Sequence, residues 1–311
     1  MRKTRNMEGG GGIERLADDL LSLIASHLSL EEAARACVLS SRWDKLWNAI
    51  PCLSFVSPRY PDDINDCSKY VQKVKRVLER RGGALPPAAA FTLNSLEFGH
   101  LLDRTHMQLV EDWFRYAMAH KVENLILDLR IDDPGEALET PPPAAALTNL
   151  KWLKTLKLKR VNLTKEFVEL VLSNCRLLEK LVVRRAGHEF KGLIGLMKKC
   201  PRLQMLKIHA MLWNSPCPKL TLDHLNENRV KLISRRPHFQ CLREVRIDGA
   251  TWRTLDLKLS ANIIERSPKL EKLTVKTRSP REVVFLNMEK MADILRKRVP
   301  AGYPAAIIVE E

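Results

Sequence analysis

Cationic side chains recur at matching places in several short leucine- and valine-rich stretches of this chain. They are Lys157 and Lys159, Lys180 and Arg184, Lys207 with His209, Arg246, and Lys272 with Lys276. Within each stretch they alternate with apolar residues, as in Leu156-Lys157-Leu158-Lys159. Successive side chains of a β-strand point to opposite faces. The apolar set would therefore enter a core, and the cations would share the opposite face. Same-sign charges on adjacent strands repel, so the chemistry open to them is anion capture: protein carboxylates, phosphoryl groups or a nucleic-acid backbone. The competing expectation is a solvated face balanced by Glu179, Glu244, Asp248 and Glu271, with Arg243 bordering the fourth strand.

Other chemistry finds little support. Seven cysteines contain no Cys-x-x-Cys pair, which argues against a disulfide framework and a clustered zinc site. Cys175 and Cys200 each stand three residues before a leucine, at Leu178 and Leu203, and Ser267 holds the same place before Leu270. That regularity reads as a buried turn position. His27, His188 and His209 have no neighbouring residues at triad or metal spacing, and the glycines from Gly9 to Gly12 are not followed by Gly-Lys-Ser/Thr. No catalytic residue, metal or cofactor is expected, and the chain is read as a non-enzyme.

The elements that position the cations form a repeat, apolar-x-x-Leu-x-apolar. It occurs as Val122/Leu125/Leu127, Leu153/Leu156/Leu158, Leu178/Leu181/Val183, Leu203/Leu206/Ile208, Leu242/Val245/Ile247 and Leu270/Leu273/Val275. Successive starts differ by 31, 25, 25, 39 and 28 residues. Leucine-rich repeats run at roughly 20–29 residues, so the two longest spacings need insertions. Asp133-Pro134 with Pro141 to Pro143, and Pro216-Cys217-Pro218, supply loop residues for them. A helical pattern at Phe167, Leu170, Val171 and Leu172 and another at Ile263-Ile264 lie between strands. A unit of one strand and one helix cannot bury its apolar face alone, so the units must stack. Parallel strands need crossovers of about a dozen residues or more, which these spacings allow. The expected fold is α/β, an irregular leucine-rich-repeat solenoid over residues 91–311, with the cations on its concave sheet. A short strand is expected at residues 91–96 and a helix at 103–120.

The N-terminal part is helical. Leu16, Leu20, Ile24 and Leu28 draw one stripe. Ser29 stands three residues before Glu32 in capping-box spacing, and Trp43, Leu46, Trp47 and Ile50 form a further stripe that Pro51 stops. About forty residues do not close a well-filled core alone, so this clip must lean on the rest of the chain, on a partner, or on both. The bland alternative is a cap on the next domain.

The ordered run L-x-D-D-L-L-S-x-I-x-S-H-L-S-x-x-E-A-A-R-A-C-V-L-S-S-R-W-D-K-L-W resembles the F-box of plant F-box proteins with leucine-rich repeats. W-F-R-Y-A at 113–117 followed by V-E-N-L-x-L-D-L resembles the same family, and residues 241–275 resemble its FBD motif. The resemblance implies a small all-α F-box that docks a Skp-type adaptor and, through it, a cullin ubiquitin ligase. Its adaptor-facing residues would be Leu16, Leu20, Leu21, Ile24, Leu28, Val38, Leu39, Trp43 and Trp47. The family has Leu-Pro where this chain has Leu16-Ala17 and Leu28-Ser29, and losing the first proline would weaken docking. The tail after Arg278 matches poorly.

The division that follows is a disordered tail at 1–12, an F-box at 13–55, a linker with a basic helix at 56–90, and the repeat domain at 91–311. The basic helix places Tyr70, Val71, Val74, Val77 and Leu78 on one face, and a membrane- or calmodulin-binding role is the sharper alternative to a solvated outer face. With 52 basic and 37 acidic residues the net charge is +15, which favours acidic partners. No signal-peptide run and no stretch long enough to span a membrane is present, so a nuclear or cytoplasmic location is expected. The function expected is substrate recognition for an SCF-type ligase, with an acidic or phosphorylated target protein on the sheet. The alternative is a basic nucleic-acid-binding or scaffold protein, which the scarcity of interleaved aromatics disfavours.

Overall fold

The computed structural model describes residues 15–28, 30–39, 42–43, 52–56, 64–82, 95–101, 112–113, 115–117, 119–130, 150–159, 173–186, 199–210, 239–250, 254–277 and 288–310. Nine strands form one parallel sheet in chain order: β1 (Cys52–Val56), β2 (Ser95–Leu101), β3 (Asn124–Arg130), β4 (Thr155–Lys159), β5 (Lys180–Ala186), β6 (Met205–Ala210), β7 (Glu244–Ala250), β8 (Lys272–Thr277) and β9 (Ala306–Glu310). Among the described residues the longer helices are α1 (Asp18–His27), α2 (Leu30–Leu39), α3 (Ile64–Gly82), α4 (Thr254–Arg266) and α5 (Met288–Arg296).

The strands exist because their sequences alternate. Two ladders of apolar side chains cross the sheet in register. One runs Leu53, Leu96, Leu125, Leu156, Leu181, Leu206, Val245, Leu273, Ile307. The other runs Phe55, Phe98, Leu127, Leu158, Val183, Ile208, Ile247, Val275, Val309. All but Val309 are buried, and Val309 packs against the same core. Fully burying such a side chain stabilises by about 1.5–3 kcal/mol, so a unit gains its stability from its neighbours on either side. Crossover helices complete the layer: Ile263 and Ile264 of α4, and Met291 and Leu295 of α5, are buried against the sheet's apolar side.

The sheet is longer than the repeat template indicates. It begins at β1, inside the stretch assigned to the end of the F-box, and it ends with α5 and β9, in the poorly matching tail. Leu53-Ser54-Phe55 follows Ile50 in the repeat's own spacing, and Ile307-Ile308-Val309 keeps the strand alternation with Pro304 in the place of the leading apolar residue. Of the strand expected at 91–96, Ser95 and Leu96 are described, in β2, which runs on to Leu101, and Leu96 and Phe98 fill the two ladders; residues 91–94 lie outside the described residues. Of the helix expected at 103–120, Asp112, Trp113, Arg115 to Ala117 and Ala119 are described as helical, with Trp113 and Ala117 buried. The tail at 1–12, Ser29, Leu46, Trp47, Ile50, the helix around Phe167 to Leu172, His188 and both proline-rich insertions lie outside the described residues.

The turn before each repeat strand is also repeated. The backbone N–H of Leu178 donates to the carbonyl of Cys175, that of Leu203 to Cys200 and that of Leu270 to Ser267. These turn residues are buried, which explains why small side chains recur there. Burial pushes the Cys200 thiol up to about 12, and burial, then the neighbouring Cys200, raises Cys175 further. The thiolate is the reactive form. In native protein at mildly alkaline pH, iodoacetamide is therefore expected to modify exposed Cys52 on the order of 100-fold faster than Cys175 or Cys200. Peptide mass spectrometry reads the rates, and equal rates in folded protein would contradict the buried turn.

Helix α3 is amphipathic, and its apolar face is occupied. Val74 and Leu78 are buried, Tyr70, Val71 and Val77 pack against the core, and the Tyr70 hydroxyl donates to the Phe55 carbonyl at 2.7 Å. Its cations line the other side. Among its described side chains, the five that form the expected apolar stripe all face the chain's own core.

Candidate functional site

The first candidate surface is the face of the sheet opposite the core. Three rows of side chains lie on it. The first contains Thr155, Lys180, Met205, Glu244 and Lys272; the second Ile126, Lys157, Val182, Lys207, Arg246 and Thr274; the third Asp128, Lys159, Arg184, His209, Asp248, Lys276 and Glu310. Adjacent strands are about 4.8 Å apart. All nine target-binding candidates, from Lys157 to Lys276, thus occupy this one face.

Part of its charge is already neutralised. Lys159 pairs with Asp128 at 3.3 Å, and Asp248 bridges Arg246 at 2.7 Å and Lys207 at 3.5 Å. Arg246 also reaches Glu310 of β9 at 3.6 Å. Of the four acids expected to balance the face, Asp248 does so, while Glu271 pairs with Arg243 at 3.0 Å in a different ladder. That ladder precedes the strands: each backbone N–H of Lys154, Glu179, Gln204, Arg243 and Glu271 donates to the carbonyl of the residue one repeat earlier. Lys154 and Glu123 meet there at 2.7 Å. Gly249, at φ 77, lies where the β7–β8 register shifts, just past the third row; a side chain is disfavoured in that left-handed region.

The second candidate surface is the N-terminal helical pair. Arg42 holds it to the start of α1, with Nη2 2.6 Å from the Asp18 carboxylate and 2.6 Å from the Leu16 carbonyl. Leu21, Ala25, Leu30, Ala33 and Trp43 are buried in the core that continues into the sheet, and α2 packs against β1. Leu21 (0% exposed) and Trp43 (7%) therefore present almost no surface to a second protein; they serve the chain's own core. Leu16, Ile24 and Leu28 are half-buried. Leu20 is 50% exposed and Val38 86%. Leu23, absent from the sequence-based set, is 57% exposed; its i+3 spacing from Leu20 was the available signal. Trp47 and the Leu39 side chain lie outside the described residues.

Ala17 is the N-cap of α1, with no side-chain cap and φ −64, the angle a proline ring imposes. Leu28, the C-cap, is extended at φ −77 and ψ 144, the conformation a residue takes before proline. At both places where the resembling family has Leu-Pro, the described backbone suits that dipeptide.

The chain is 28% identical to an F-box/LRR-repeat protein of Arabidopsis thaliana, over 97% of this chain and 65% of that protein. Its homologues are Arabidopsis F-box/LRR-repeat and F-box/FBD/LRR-repeat proteins. Two F-box/FBD/LRR-repeat proteins of the same plant illustrate the range. One is 27% identical over 72% of this chain and 46% of its own length. The other is 30% identical over 63% and 42%. The chain spans about half to two thirds of the length of the curated relatives it matches. No protein-family model matches it. Names that join an F-box to leucine-rich repeats suit a molecule with a helical pair at one end and a parallel sheet built from a leucine repeat. Among the described residues, no three His, Cys, Asp or Glu side chains converge as a metal site, and no helix is long and apolar enough to cross a membrane.

Proposed function

We propose that this chain is the substrate-recognition subunit of an SCF-type cullin ubiquitin ligase. The helical pair acts as an F-box that docks a Skp-type adaptor, and the repeat sheet, as the concave side of a solenoid, captures a target protein. The chain supplies no catalytic group; ligation belongs to its partners, in the nucleus or cytoplasm. The observation that carries this reading is the division of the helical pair's apolar residues. Leu21, Ala25 and Trp43 are sealed inside, while Leu20, Leu23 and Val38 remain uncovered. Burying those three would remove enough apolar surface to contribute several kcal/mol.

Co-expression with a plant Skp-type adaptor tests it: the two proteins are expected to co-purify at equal stoichiometry. Ala17→Pro should strengthen the complex about two- to five-fold, because the N-cap already holds a proline angle and a rigid residue there loses less freedom. A chain that elutes without adaptor in both forms would refute the assignment.

A further inference from the structure

The cations on the sheet face are not equivalent, and the difference identifies what the face would hold. Strands β4, β5 and β6 place nine residues on it: Thr155, Lys157, Lys159, Lys180, Val182, Arg184, Met205, Lys207 and His209. Five are Lys or Arg and none is acidic. The flanking strands end the run, with Asp128 on β3 and Glu244 and Asp248 on β7. Asp128 draws Lys159 toward one flank and Asp248 draws Lys207 toward the other. Among the described ion pairs, none uses Lys157, Lys180 or Arg184. These three surround Val182. Lys157 is beside it on β4, and Lys180 and Arg184 lie two residues to either side along β5. Val182 is buried yet lies outside the main core cluster, so the cations stand over an apolar floor, where their field is less screened than over water.

The geometry points to Lys157, Lys180 and Arg184 as a docking site for an acidic, extended segment of a target protein. This deepens the receptor reading and rests on it. The tract is about 10 Å wide across three strands and about 13 Å long along them, room for two or three carboxylates of one peptide. A nucleic-acid backbone fits less well. Its evenly spaced phosphates would run from the tract onto Asp128 or Asp248, and no aromatic side chain stands on the nine positions to stack a base.

The test is fluorescence anisotropy on the full chain with a labelled peptide of about twelve residues, rich in Glu and Asp. A Gln/Asn version of the peptide and a dT oligonucleotide of similar length serve as the other probes. The acidic peptide is expected to bind at least about 10-fold tighter than its neutral version. Lys157→Glu/Lys180→Glu/Arg184→Glu should weaken it on the order of 30-fold, while Lys290→Glu/Arg296→Glu, exposed on α5 across the sheet, should change it less than about three-fold. If the reversed triple variant fails to fold, the Lys157→Gln/Lys180→Gln/Arg184→Gln variant should still lose on the order of 10-fold. Equal binding of acidic and neutral peptides, an unchanged triple variant, or tighter binding of the oligonucleotide through the same three residues would each overturn the inference. Adaptor co-purification measured on the same preparations separates the two proposals: its loss with peptide binding intact counts against the ligase reading alone, and the reverse pattern against this site alone.

Discussion

Replacing Phe98 by alanine is expected to lower the stability of the chain by about 3–5 kcal/mol. Phe98 is completely buried and lies between two other rings. Its centroid is 5.4 Å from Phe55 with planes 9° apart, and 4.1 Å from Trp113 with planes 6° apart. Tyr70 of α3 closes the group edge-on at 6.4 Å from Trp113, and its hydroxyl ties α3 to the β1 carbonyl. Four rings from β1, α3, β2 and the helical residues near 113 thus fill the level that leucine, valine and isoleucine fill farther along the sheet. Removing the central ring leaves a cavity and orphans both stacked partners, whose pairing is worth about 0.5–1.5 kcal/mol beyond area. Phe55→Ala should cost less, since Phe55 stacks on one partner in the edge strand. Urea unfolding followed by circular dichroism measures both. A Phe98→Ala loss under about 1.5 kcal/mol would mean that the first two strands do not depend on this stack.

The leucine ladders were legible because a strand in a stacked repeat has the same inner residues at the same spacing every time, and six such spacings stand in the sequence. The two ends of the sheet were not, for a physical reason. Toward the ends the filling residues change: Phe55 and Phe98 take the second apolar place in β1 and β2, and the last strand carries Ile307 and Val309 with Pro304 where the leading apolar residue would stand. Glu310, and with it a second carboxylate for Arg246, came with the strand that the repeat template misses. Cationic residues were readable as one face from alternation alone. Which of them are spent on internal pairs was legible only in part: Arg246 and Asp248 stand two residues apart on one strand, whereas Lys159–Asp128 and Lys207–Asp248 form across strands, at a sequence distance no local pattern records.

The helical clip shows the same limit more sharply, and it sets the second large prediction. A stripe at four-residue spacing drifts about 40° per step around a helix of 3.6 residues per turn, and of the expected stripe only Leu20 and Ile24 lie within α1; Leu20 is exposed, while Leu16, Ile24 and Leu28 are half-buried. Leu20 faces out while the adjacent Leu21 faces the core. Leu20→Asp/Val38→Asp is therefore expected to leave urea stability within about 0.5 kcal/mol of the parent, yet to reduce capture by a Skp-type adaptor on the order of 100-fold, since each carboxylate would have to be desolvated in an apolar interface. Trp43→Ala should behave oppositely. Its ring is inside, so the variant loses about 3–5 kcal/mol and docking fails because the clip unfolds. The contrast between the two variants is what discriminates a docking surface from a mere cap. Were the clip only a cap for β1, charging Leu20 and Val38 would change neither measurement, whereas a docking surface must lose its partner while the fold that presents it stays intact.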